Sequence, residues 1–122
     1  MTESKLVDSS AWIAYVQEER DGIQGMIEDE KALFTSTLTL FEVARKWLRD
    51  DIDPARILKA ITIRSTILPP TAKIATLAAQ LSVSHKLAAM DSLIYATAQL
   101  NECTLITFDT DFAGLSNTEV LR

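Results

Sequence analysis

The sequence predicts an α/β fold in which helices alternate with the strands of a mostly parallel sheet, and three observations predict it. Short apolar or β-branched runs, Leu6-Val7, Ala32-Leu33-Phe34-Thr35, Ile67-Leu68 and Thr104-Leu105-Ile106-Thr107, recur along the chain, each parted from the next by longer stretches with apolar residues at helical spacing. Serine, threonine or aspartate stands at the junctions where a strand gives way to a helix. Apolar residues make up 48% of the 122, with only three glycines and three prolines, which is enough to build a core and too few breakers for a loop-dominated chain. Strands separated by helices pair in parallel through right-handed crossovers. Residues 1–122 are therefore expected to form one domain, with no repeat, low-complexity tract or linker.

Each element has a local reason. Leu6-Val7 closes a first strand, and Ser9 or Ser10 is expected to cap a helix carrying Trp12, Ile13, Tyr15 and Val16, which puts Asp8 on the turn between them. A short helix follows around Ile23 to Glu28, then a strand over Ala32 to Thr35, and Ser36 or Thr37 caps a helix to about Arg49 with Phe41, Ala44 and Leu48 as its core stripe. Asp53-Pro54, a capping residue before a proline at the first helical position, starts a helix to about Arg64. Ile67-Leu68 before Pro69-Pro70 is a short strand, and Thr71 caps a helix to about Leu81. A helix over roughly Ala88 to Asn101, a strand over Thr104 to Thr107 ending at Asp109, and an edge strand at Val120-Leu121 complete the chain.

Composition excludes several function classes. No run of eighteen apolar residues occurs, and Met1-Thr2-Glu3-Ser4-Lys5 lacks the apolar stretch of a secretory signal, so a soluble cytoplasmic protein with no membrane partner is expected. A net charge of -5 argues against nucleic-acid binding by a broad basic surface, though not against a nuclease that grips phosphate through metal ions. Cys103 lies in an apolar run and reads as a small buried hydrophobe. His85, between two expected helices, has no second histidine or cysteine at zinc-binding spacing, and serine chemistry would lack a base. The glycines at 22, 25 and 114 follow no expected strand, which removes the nucleotide-cradling loops.

What remains is a set of acids. Asp8, Glu42, Asp91 and Asp109 each fall at an expected strand end or in the first turns of the following helix, where an open parallel sheet gathers its ligand site. Carboxylates that converge without matching bases repel one another unless a cation lies among them, so the pattern suggests a divalent-metal site. Asp91 is the only charged residue between Ala88 and Leu100, and an ionised carboxylate on a buried helix costs several kcal/mol or more unless paired, metal-bound or protonated. Taken singly, each acid has a plainer reading: Asp91 favours a helix N-terminus, Asp8 caps a helix, and Asp109 or Asp111 shapes a turn. Glu42 shares a helix face with Arg45, Lys46 and Arg49, which reads either as a solvated face of ion pairs or as an acid aimed into the site with three cations holding phosphate beside it.

Four segments together resemble a known family. Leu-Val-Asp-Ser-Ser-Ala-Trp-Ile, Thr-Leu-Phe-Glu-Val-Ala, Ala-Ala-Met-Asp-Ser-Leu-Ile-Tyr-Ala-Thr-Ala and Leu-Ile-Thr-Phe-Asp-Thr-Asp-Phe, in this order and spacing, resemble the PIN domain, and the length resembles the stand-alone VapC-type toxins of toxin-antitoxin pairs. The resemblance implies a three-layer α/β/α sandwich and a Mg²⁺- or Mn²⁺-dependent endoribonuclease. Asp8, Glu42, Asp91 and Asp109 look like the family's metal-holding acids, Ser10 and Thr107 like its supporting polar positions, and Asp111 is a spare acid. Also implied are an RNA substrate, a small antitoxin that covers the acids, and a homodimer, with Trp12 and Trp47 the residues to watch at an interface, although tryptophans on amphipathic helices are more often core.

Other readings compete. A receiver-type phospho-acceptor domain would show paired acids after the first strand and a lysine after the last, whereas serines follow Asp8 and no lysine follows Lys86. A phosphatase of the haloacid-dehalogenase type would want a second aspartate where Ser10 stands. A PIN-fold binding module without catalysis is the remaining alternative.

Overall fold

A computed structural model describes residues 4–17, 23–28 and 32–122. Met1 to Glu3, on which the expectation about a signal partly rests, and the glycine at 22 lie outside the described residues. Along the chain run Lys5–Val7 (β1), Ser9–Gln17 (α1), Ile23–Glu28 (α2), Leu33–Ser36 (β2), Thr37–Arg49 (α3), Ala55–Arg64 (α4), Thr66–Leu68 (β3), Ala72–His85 (α5), Ala89–Leu100 (α6), Thr104–Thr107 (β4), a 3-10 turn over Thr110–Phe112, and Thr118–Val120 (β5).

The strands form one sheet in the order β3-β2-β1-β4-β5, and every pairing is parallel, so all five strands end on the same edge. From β1 the chain builds outward on one side through β2 and β3, then returns to the other side with β4 and β5. The boundary between β1 and β4 is therefore the point where strand order reverses, the place where an open sheet leaves a crevice at its carboxyl edge.

Alternation along the strands divides the core into two layers. Val7, Leu33 and Ile106 pack with Ala11, Trp12, Ile23, Ile27, Val43, Ile57 and Ile61 from α1 to α4 on one face. Leu6, Leu105 and Cys103 pack with Leu87, Ile94, Tyr95, Ala98 and Phe112 on the other, where α6 lies against the sheet. Helix α5 packs on α6 through Ile74, Ala78 and Ala96. The result is the α/β/α sandwich that the resemblance implied. Among the described residues no helix is long and apolar enough to cross a membrane.

Several expectations are corrected in detail. The stripe of α3 that faces the core is Thr39 and Val43, with Leu40 and Trp47 partly buried beside them, while Phe41 and Leu48 are 56% and 61% exposed. This helix has apolar residues on two faces, and helical periodicity alone does not say which one the sheet takes. Trp12 is 1% exposed and its indole N–H donates to Thr35 Oγ1 at 3.0 Å, so it belongs to the core and not to an interface. Helix α5 runs beyond Leu81 and ends at His85, a histidine expected at the surface or a helix end, whose ring meets Tyr95 edge-on. Asp53 Oδ1 accepts from the Ala55 N–H at 3.0 Å, with Pro54 in helical dihedrals just ahead of α4.

Candidate metal centre

The site begins with Asp8, which leaves β1 directly into α1 and is buried. Its Oδ1 accepts from the Ala11 N–H at 3.0 Å and from Ser10 Oγ at 2.7 Å, and its Oδ2 accepts from Thr107 Oγ1 at 2.5 Å. Asp8 itself thus satisfies the first turn of α1, the task expected of Ser9 or Ser10. The two hydroxyls are in turn fixed by backbone donors of the neighbouring strand end, Phe108 N–H to Ser10 Oγ and Asp109 N–H to Thr107 Oγ1, both at 2.9 Å. The β1 and β4 ends are therefore cross-tied around one carboxylate, which is held in a single orientation. Each of its oxygens can accept more than one bond, so Oδ2, with one donor described, keeps a lone pair for the crevice.

Asp91 comes from the first turn of α6, whose buried face begins only at Ser92, so its carboxyl sits at the rim of the core and not inside it. That lowers the cost of ionisation inferred from the apolar helix. Asp109 follows β4, and its Oδ1 accepts from the Asp111 N–H at 2.8 Å, which closes the 3-10 turn and brings the two acids to one side. Asp91, Asp109 and Asp111 each offer a carboxylate oxygen, and these oxygens lie within 4.8 Å of one another. Glu42, in the second turn of α3, is half-buried and accepts from the Ser9 hydroxyl.

The charges couple. Burial, then the negative charges of Asp109, Asp111 and Asp8, push the Asp91 carboxyl up to about 6. Glu42 is raised first by burial and then by Asp8, Asp91 and Asp109, against the pull of Ser9. Asp8 is also raised, because burial outweighs the hydrogen bonds from Thr107, Ser10 and Ala11 that favour its ionised form. Hard divalent cations take carboxylate and water oxygens, so this donor set fits Mg²⁺ or Mn²⁺ and does not fit a soft-ligand metal. Self-repulsion of this kind is what a bound cation removes.

All the acids singled out in the sequence come to the β1/β4 boundary, with Ser10 and Thr107 between them as the supporting pair. Asp111, the spare acid of the sequence, lies in the close trio with Asp91 and Asp109. Beside Glu42, between α1 and α3, a pocket of about 230 Å³ is lined by Ser9, Ile13, Glu42, Arg45, Lys46 and Arg49. Sequence reasoning gave Ser9 a capping role only; its bond to Glu42 depends on how α1 crosses α3, which no local signal records. Cys103 is buried with its thiol pushed up by burial to about 11, and it lies in the core as expected.

Comparison with known proteins follows the same lines. A family model described as the PIN domain matches residues 5–117. A toxin-antitoxin complex from Klebsiella pneumoniae contains a chain 27% identical, with a TM-score of 0.82 over 95% of this chain and 96% of that one. VapBC2 from Rickettsia felis, bound to a DNA fragment from its promoter, gives 16% identity and a TM-score of 0.83 over 98% and 99% of the two chains. VapC20 of Mycobacterium tuberculosis, a toxin that cleaves the sarcin-ricin loop, gives 20% and 0.70 over 91% and 94%; these last two likenesses concern the fold alone. Among curated proteins none matches the sequence significantly.

Proposed function

The chain belongs to the PIN domain family, and from that premise we propose that residues 1–122 act as one domain, a VapC-like endoribonuclease that uses Mg²⁺ or Mn²⁺ to hydrolyse RNA phosphodiester bonds. The observation that carries the reading is the trio of carboxylate oxygens from Asp91, Asp109 and Asp111 beside the cross-tied Asp8 at the strand-order reversal. A structural cap or turn needs none of these acids to approach the others, and their mutual repulsion is a cost without a cation.

Asp8, Asp91 and Asp109 would hold the ion, with Asp111 as a further ligand. When bound, one or two such ions supply charge stabilisation at the phosphate and leaving oxygen and lower the pKa of water. Ser10 and Thr107 favour the ionised form of Asp8 against its burial and keep it aimed, since both hydroxyl protons already point at its oxygens. Glu42, with its affinity for protons raised by burial and held by Ser9, orients the attacking water and accepts its proton. Arg45, Lys46 and Arg49 draw the RNA backbone toward the acids.

Partners follow from the relatives. The Klebsiella and Rickettsia structures are toxin-antitoxin complexes, and a small antitoxin covering the acids is proposed here too. Self-association is proposed as well, and the exposed Phe41, Leu48 and Ile52 at α3 and just beyond it support a protein contact there. Cytoplasmic residence goes with this reading.

The test is cleavage of total RNA by the purified, partner-free chain with Mg²⁺ or Mn²⁺, beside EDTA and an Asp91→Asn variant. Discrete metal-dependent cuts, reduced at least a hundredfold in the variant, are expected. A folded chain that cuts nothing with either ion would instead favour a binding module of the same fold.

A further inference from the structure

The pocket beside Glu42 has a property that the acids do not explain. On α3, Lys46 is committed to Asp50 at 3.4 Å, but Arg45 and Arg49 have no ion-pair partner among the described residues. Like charges at i and i+4 on a helix are unfavourable by a few tenths of a kcal/mol. The helix C-terminal dipole accounts for Arg49 in the last turn, but Arg45 stands a turn earlier. Two uncommitted guanidinium groups thus face one cavity, with the Ser9 hydroxyl and the apolar side chain of Ile13 completing its wall. Guanidinium forks match phosphate oxygens in pairs. At about 230 Å³ the cavity is below the size of a pocket for a drug-sized ligand and suits a sugar-phosphate unit.

Its position sets the register. Glu42 lines this pocket and also couples electrostatically to Asp8, Asp91 and Asp109, so one side chain separates the cations from the acids. We infer that the pocket is a subsite for the phosphodiester next to the one being cut, so that the enzyme engages two consecutive phosphates of a single RNA strand; this rests on the nuclease reading. Arg45 and Arg49 hold the flanking phosphate, Ile13 lies against its ribose, and the adjoining phosphodiester is delivered to the acids. The subsite reads no base, because phosphate contacts carry no sequence information. It sets a minimum substrate: a dinucleoside monophosphate, with one phosphodiester, fills only half of the site.

The experiment measures binding of fluorescein-labelled pentauridylate across a salt series to the wild-type chain, to Arg45→Ala/Arg49→Ala, and to Arg56→Ala/Lys59→Ala. The last pair removes equal charge from α4, outside the pocket. For single strands the log-log salt slope falls by about 0.7 for each phosphate that the protein ceases to neutralise. A decrease of about that size is expected for the Arg45/Arg49 variant and none for the α4 variant. In an RNA that the wild type cuts, a neutral methylphosphonate at one linkage adjacent to the cut slows wild-type cleavage about tenfold and leaves the slower Arg45/Arg49 variant unchanged. Equal slopes in all three proteins would overturn the subsite while leaving cleavage, and the nuclease reading, intact. A reduced slope in the Arg45/Arg49 variant beside a wild type that cuts no RNA would keep the phosphate-binding role of the pocket and sink the nuclease. Loss of polyglutamate binding in the variant with RNA binding unchanged would reassign the pocket to an acidic peptide.

Discussion

Asp91 is the residue on which pH acts most directly. Its folded carboxyl titrates near 6, above the ordinary value of 3.8, so the metal-free folded chain binds this proton more tightly than the unfolded chain does. The associated stability is full below about pH 4 and is lost as pH rises through about 6. Asp91→Asn removes the charge throughout, so the metal-free variant should exceed the wild type in stability at pH 7.5 by about 1 kcal/mol, a figure discounted for partial exposure, and by nothing at pH 4. Urea denaturation at the two pH values checks this. Cleavage should run the other way, rising with pH across the same window, because a ligand must shed its proton before it can hold a cation. The acids themselves were legible in the sequence, each at a strand end or a helix start. The hydroxyl ties were legible only as positions, since the bonds from Thr107 to Asp8 and from the Phe108 N–H to Ser10 span the β1/β4 boundary and exist only once the sheet is built.

At the scale of the element, α3 carries the clearest lesson. Leu40, Phe41, Val43, Ala44, Trp47 and Leu48 give it apolar residues around much more than one face, and Phe41, Ala44 and Leu48, expected at the core, are not the buried set. The sheet takes Val43 because Ser36 ends β2 and caps α3 at once, its Oγ accepting from the Leu38 N–H at 3.0 Å, which fixes the rotation of the helix as it leaves the strand. Val43→Ala should therefore cost about 2 kcal/mol, and Leu48→Ala should stay within about 0.5 kcal/mol, as read by thermal unfolding of each variant at concentrations where the chain is monomeric. Equal losses at the two positions would mean that the exposed face is covered in the free protein. Strand and helix order were otherwise recoverable from capping residues and apolar spacing, because those signals are local.

Across the whole molecule, the self-repelling acids and the parallel sheet are two sides of one arrangement. A cation that binds only the folded chain stabilises it by about 2.7 kcal/mol at a hundred times its dissociation constant, or about 10 °C for a domain of this size. Mn²⁺ or Mg²⁺ should raise the melting temperature of the wild type by that order and leave Asp91→Asn nearly unmoved, which calorimetry resolves; Na⁺ at matched ionic strength separates ligation from screening. The sheet order has a further consequence in time. Asp8 leaves a ribosome well before the strand that ties it, since β4 is made only after Leu100, and β1 has no partner on that side until then. A chain still being translated therefore carries its first acid without its last ones, and a chain arrested before β4 lacks Asp109 and Asp111. On the proposed nuclease reading the site is therefore completed late in the chain's own synthesis, which would give a partner already present an interval in which to meet each new copy before it could cut.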